Sequence, residues 1–221
     1  MKELQVVETD LKIVVSESIG EVSASILEPP SMKAMMLLAH GAGAGMAHIF
    51  MVKLAHALAK LSIGTIRYNF PYTEQGKKRP DTPAVAHKTI EQVILYTADA
   101  YKSSPLFVSG KSFGGRMTSQ LLAKKSFDKV QGIVFYGFPL HPAGDPSIER
   151  AEHLQNIHLP MLFLQGSRDA LAEWDLISNV CATLPTAKLV RFEGADHSFK
   201  AGKKDVVPEL AEATDAWLQT F

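Results

Sequence analysis

Cysteine is almost missing. Cys181 stands alone among 221 residues, so no intramolecular disulfide can form and a reducing compartment is expected. Charge of one sign is not in excess either. Lys and Arg number 23 and Asp and Glu number 23, and the isoelectric point lies near 7.1. Neither nucleic acid nor an anionic membrane surface is expected as a partner of such a chain. The one basic run, Lys77-Lys78-Arg79, falls in a polar stretch containing proline and reads as a solvated loop. Long apolar runs are missing too. The longest, Ala34 to Ala39, is far too short to cross a bilayer. Met1-Lys2-Glu3-Leu4-Gln5 has no apolar centre of the kind a signal peptide needs, which points to a cytoplasmic protein. There is no repeat period and no low-complexity linker, so residues 1–221 read as one domain.

What is present is an ordinary globular composition, 46% hydrophobic and 21% charged, with a regular alternation of patterns. Leu11 to Val15 and Glu21 to Leu27 are β-rich and predict an antiparallel hairpin. A continuous apolar run at Ala34–Ala39 predicts a strand buried on both faces, and Ile63–Tyr68, Leu106–Ser109, Val130–Tyr136, Leu159–Leu164 and Ala187–Phe192 read as further strands. Between them, apolar residues recur at helical spacing in Ala47–Leu61, Thr82–Tyr101, Arg116–Lys125, Ala172–Leu184 and Val206–Phe221. Cys181 falls inside one of these helices and reads as a small buried hydrophobe. The class is therefore α/β: a mostly parallel sheet of about seven or eight strands, with helices on both faces and the antiparallel hairpin at its start. In such sheets ligands bind beyond the carboxyl ends of the strands. The loops that follow the strands are the ones to search.

One of them holds Gly110-Lys111-Ser112-Phe113-Gly114, between an apolar run and a helical stretch. A strand, a very tight turn and a helix would carry Ser112 at the apex, with its hydroxyl clear of the backbone, as a nucleophile requires. Glycines two residues before and after keep such a turn free of side-chain collisions. The letters Gly-Lys-Ser also end a phosphate-binding loop, but that loop needs a glycine where Pro105 stands.

A serine hydroxyl needs a base and a group that orients the base. Of eight histidines, His197 follows the last strand, in Gly194-Ala195-Asp196-His197. Asp169 follows the strand before it, in Gln165-Gly166-Ser167-Arg168-Asp169. Asp196 adjoins the histidine and reads as a carboxylate that stabilises its loop. The expected oxyanion donors are the N–H of Phe113, at the turn itself, and that of Ala42 in His40-Gly41-Ala42-Gly43-Ala44-Gly45. A dinucleotide site in this glycine-rich loop is disfavoured. The third glycine of that motif is absent, and the next strand ends in Arg67-Tyr68-Asn69 without the acidic residue that would hold a ribose.

With Ser112, Asp169 and His197 in this order, the chain resembles the α/β-hydrolase superfamily over essentially its full length. It is most similar to small members related to dienelactone hydrolases, but carries serine where those carry cysteine. Asn69-Phe70-Pro71-Tyr72, with Gly76 and Arg79-Pro80-Asp81 after it, is similar to a narrower group of hydrolase-like proteins. That group includes bacterial members, a testis-expressed animal protein and a subunit of a chromatin-acetylation complex. The resemblance implies the α/β-hydrolase fold and a triad, and leaves the substrate open. A small-molecule ester or thioester, cleaved through an acyl-enzyme without metal or organic cofactor, is the expected chemistry. The alternative is a catalytically silent scaffold that binds proteins. The short connection from Gly137 to His158 leaves no room for a cap domain, so an open site is expected. Met46, Phe70, Tyr72, Phe138 and Phe199 are candidate apolar walls, each equally readable as core. For Arg116 and Arg168 an internal ion pair is the first expectation and a substrate carboxylate the second. Oligomeric state is not readable from the sequence.

Overall fold

A computed structural model describes residues 5–221. The opening segment discussed above as lacking a signal-peptide centre begins in residues 1–4, outside the described residues. Eight strands form one sheet: β1 (Val7–Ser16), β2 (Gly20–Glu28), β3 (Ala34–Ala39), β4 (Ile63–Tyr68), β5 (Leu106–Lys111), β6 (Val130–Tyr136), β7 (Met161–Gly166) and β8 (Ala187–Phe192). Their spatial order is β1-β2-β4-β3-β5-β6-β7-β8. The β1–β2 and β2–β4 pairs are antiparallel, and every later pair is parallel. This is the α/β-hydrolase fold.

Strands of a sheet covered on both sides must be apolar on both sides. All six residues of β3, β4 and β7 are buried. Within β3 the period of two sorts them: Met35, Leu37 and Ala39 join one core cluster, Met36 and Leu38 the other. The first cluster is covered by α3 (Pro83–Ala100), α4 (Phe113–Leu122) and α5 (Trp174–Ala182), the second by α1 (Ile49–Lys60) and α6 (Val207–Leu218). Leu54 and Leu58 of α1 are fully buried, each worth roughly 1.5–3 kcal/mol of apolar transfer. Cys181 lies in α5, where burial pushes its thiol up to about 12. It packs as a small apolar side chain and is held as the unreactive thiol.

Several boundaries differ from the sequence expectation. The hairpin strands are longer, because β1 and β2 pair along polar residues that carry no alternation signal. Helix α4 starts at Phe113 and ends at Leu122, where helical spacing suggested Arg116 to Lys125. Gly114 and Gly115 hide its first turn, since glycine is a poor helix former. Three short elements escaped the pattern: α2 (Pro71–Glu74), a 3-10 helix over Glu149–Asn156, and a small hairpin of β9 (Lys200–Ala201) and β10 (Lys204–Asp205). The 3-10 helix occupies the connection after β6, and among the described residues there is no cap domain. Among the described residues no helix is long and apolar enough to cross a membrane.

The chain runs from β3 outward to β4 on one side, then returns past β3 to β5 on the other. The crevice at this reversal lies beyond the carboxyl ends of β3 and β5. Those ends carry the His40–Gly45 loop and the Ser112 turn.

Candidate active site

Ser112 joins β5 to α4 with φ 51° and ψ −115°, a conformation most side chains avoid. The glycines around it are there for lack of space. A Cβ on Gly110 would lie 2.3 Å from the nitrogen of Gly115, and one on Gly114 would lie 2.5 Å from the carbonyl oxygen of Ala39 in β3. The turn is thus pressed onto its own helix and onto the central strand. The hydroxyl of Ser112 is left pointing away from both.

His197 reaches it from the loop after β8. Its Nε2 lies 2.8 Å from Ser112 Oγ and its Nδ1 lies 2.7 Å from Asp169 Oδ2. A carboxylate only accepts, so Nδ1 carries the proton and Nε2 is free to accept from the serine. Asp169 is 3% exposed, which strengthens its hold on the imidazole. Its Oδ2 also accepts the Gln165 Nε2–H at 2.6 Å, and its Oδ1 accepts the Leu171 N–H at 2.8 Å. Gln165 is itself fixed by Phe138, whose N–H donates to its Oε1 at 2.9 Å. The carboxylate of Asp196 turns away and accepts the N–H groups of Ser198 and Lys200, shaping the loop that carries the histidine.

The loop after β3 is braced from beneath by the Asn69-Phe70-Pro71-Tyr72 segment. Fully buried His40 donates from Nδ1 to the Gly41 carbonyl at 2.9 Å and accepts the Phe70 N–H on Nε2 at 3.2 Å. Asn69 Oδ1 accepts the Met46 N–H at 2.8 Å, and buried Arg67 donates to the Met46 carbonyl at 3.0 Å. The Thr73 hydroxyl lies 3.3 Å from the Ala44 carbonyl. With its flanks so fixed, the loop presents Ala42 toward Ser112. The N–H groups of Ala42 and Phe113 have no acceptor among the described residues, and both residues line a cavity with Ser112.

Lys111 is the residue whose role the sequence concealed. It sits inside the Gly-x-Ser-x-Gly turn, yet its Nζ donates to the His197 carbonyl at 2.6 Å and lies over the Phe199 ring. Burial lowers its pKa to about 8, against the opposing pull of Asp169 and Asp196. His40, Lys111 and Gln165 were visible only as letters adjoining the motif residues, and nothing in their spacing marked them.

Two cavities meet at Ser112. One, of about 340 Å³, is lined by His48, Phe50, Met51, Lys111, His197 and Ser198; the other, of about 380 Å³, by Phe113, Met117, Pro139 and three arginines. Both share Ala42, Ser112 and Leu171. The five candidate walls are elsewhere. Phe70, Tyr72, Phe138 and Phe199 are buried as packing beneath the loops, and Met46, whose N–H is held by Asn69, lines neither cavity. The internal ion pairs first expected of Arg116 and Arg168 do not form among the described residues; Arg168 is exposed and lines neither cavity. Among the described residues no cluster of three or more His, Cys, Asp or Glu is placed to hold a metal.

Burial holds His40 at about 4, far below the ordinary histidine value of 6.5, and His153 also at about 4, again chiefly by burial. The unfolded chain therefore takes up these protons before the folded one does. Stability is expected to fall as pH drops from 6.5 toward 4, by on the order of 3 kcal/mol for His40 alone at the lower limit. Urea midpoints at pH 7 and pH 4.5 measure it. An acid slope that persists undiminished in His40→Asn would assign the loss to other groups.

Residues 32–219 match the model of the alpha/beta hydrolase domain family. Solved structures share the fold at low identity. A dienelactone hydrolase from Anabaena variabilis superposes with a TM-score of 0.79 at 16% identity, covering 98% of this chain and 99% of that one. An alpha-beta serine hydrolase homologue from Coxiella burnetii gives 0.76 at 21%, covering 95% and 97%. A serine hydrolase without lid from Xanthomonas campestris gives 0.75 at 18%, covering 96% and 94%.

Proposed function

Because this chain belongs to the alpha/beta hydrolase domain family, we propose that it is a serine hydrolase cleaving a small ester or thioester through an acyl-enzyme on Ser112. The observation that carries the reading is the unbroken chain of contacts from Ser112 Oγ through His197 to Asp169. Ser112 attacks the carbonyl carbon while His197 Nε2 takes its proton, and Asp169 holds the imidazole in the tautomer that can accept. Charge on the carbonyl oxygen meets the N–H groups of Ala42 and Phe113; in comparable sites one such donor is worth on the order of 3 kcal/mol. As the tetrahedral species collapses, His197 returns the proton to the departing alcohol or thiol. Water then attacks the acyl-enzyme by the same route and restores the serine. The substrate is a small molecule, consistent with cavities open to solvent and no cap over them.

A fluorophosphonate probe tests this directly. The wild-type protein is expected to be labelled at Ser112 and Ser112→Ala to stay unlabelled. Folded wild-type protein that refuses the probe would overturn the enzyme reading and leave the silent scaffold.

A further inference from the structure

The second cavity carries charge that nothing in the fold answers. Arg79, Arg116 and Arg150 all line it, together with Ser112 and both expected oxyanion donors. Arg67 and Arg191 each pair with a glutamate, but among the described residues none of these three forms an ion pair or donates a side-chain hydrogen bond. Asp81 is the carboxylate on the same wall. It pairs with none of them, and its Oδ2 accepts the Tyr72 N–H at 3.0 Å. Arg116 and Arg150 are half-buried. Burial, and after it the field of Arg150, lowers the pKa of Arg116. Nearby His153 offers no counter-charge. Guanidinium groups that serve the fold show it in the carboxylates or carbonyls they hold. Here the open side of all three is the cavity.

The two cavities divide the substrate between them. His197 must protonate the leaving group and lines only the first cavity, so the alcohol or thiol belongs there. The acyl part then extends past Phe113 into the second. Resting on the serine hydrolase reading, we propose that the acyl group of the substrate carries its own anion, a carboxylate or a phosphate, held by Arg79, Arg116 and Arg150. The simplest such substrate is a monoester or monothioester of a short dicarboxylic acid. Hydrolysis consumes one water: its hydroxyl goes to the acyl carbon, its remaining hydrogen to the alcohol or thiol, and the acid leaves as a dianion after losing a proton to solvent.

Three aryl esters of equal chain length, ending in a carboxylate, a phosphate or a neutral methyl ester, provide the test. For wild-type protein, kcat/KM for one of the anionic esters is expected to exceed that of the neutral ester by about ten- to a hundredfold, and the excess should shrink with added salt. The better of the two anions identifies the ligand. In Arg116→Gln/Arg150→Gln the ratio of anionic to neutral kcat/KM should fall toward one, and Arg79→Gln, on an exposed loop, should lower it in part. Neutral and anionic esters cleaved alike by wild type would overturn this proposal and leave the serine hydrolase standing. A folded protein that cleaves no ester and takes no fluorophosphonate would overturn both.

Discussion

Asp169→Asn is expected to lower kcat by about four orders of magnitude, the effect of forcing a catalytic histidine into the wrong tautomer. Three donors converge on this carboxylate: Leu171 N–H on Oδ1, and Gln165 Nε2–H with His197 Nδ1–H on Oδ2. An amide has one acceptor oxygen. If that oxygen turns to His197, the new NH2 faces the Leu171 N–H. If it turns to Leu171, the NH2 faces Gln165 and His197, and the imidazole can answer only by accepting on Nδ1. Its proton then moves to Nε2, where it confronts Ser112 Oγ instead of receiving from it. Saturation kinetics on any cleaved ester measure the loss. A fall of less than about tenfold would remove Asp169 from the role assigned to it.

Gly114→Ala is expected to cost more than about 4 kcal/mol of folding stability, in the range reserved for steric failure of a core. The added methyl would lie 2.5 Å from the Ala39 carbonyl oxygen and 2.6 Å from its carbon. Both atoms belong to β3, which is hydrogen-bonded to β4 on one side and β5 on the other and cannot retreat from α4 alone. Gly144→Ala provides the contrast. That position has φ +76° but nothing within 4 Å of the added methyl, so only conformational strain of about 1 kcal/mol is expected. Urea unfolding of the two variants separates collision from strain. Equal losses would refute the close contact at the turn.

What could be read in advance follows from how much of the physics is local. Ala34–Ala39 announced itself because a strand covered on both faces is mainly apolar, and Ile63–Tyr68 through its β-branched and aromatic residues, although it also carries Arg67. Their bounds match β3 and β4. Ser112, Asp169 and His197 stood out because each follows a strand, and the structure brings their side chains within hydrogen-bond distance. The walls of the cavities failed to stand out for the converse reason. Phe70 and Tyr72 follow β4 as closely as any site residue, but an aromatic ring packs equally well under a loop as beside a ligand. Only tertiary structure assigns its face. Arg79, from the loop after α2, and Arg150, from the 3-10 helix, gave no sign of sharing a cavity, because their convergence on Arg116 is a property of the assembled chain. The small β9–β10 hairpin is mostly polar and too short for any period to emerge.

The bond from Lys111 to the His197 carbonyl has a consequence for how the site fails. A base carried on a surface loop can be unhooked by local opening while the rest of the domain stays folded. Here the loop is moored to the last residue of β5, beside Ser112, in the middle of the sheet. Releasing the histidine means uprooting a half-buried ammonium from the strand that carries the serine. Heat or denaturant should therefore part His197 from Ser112 and melt the domain in one event, with no folded species between them in which the two are separated.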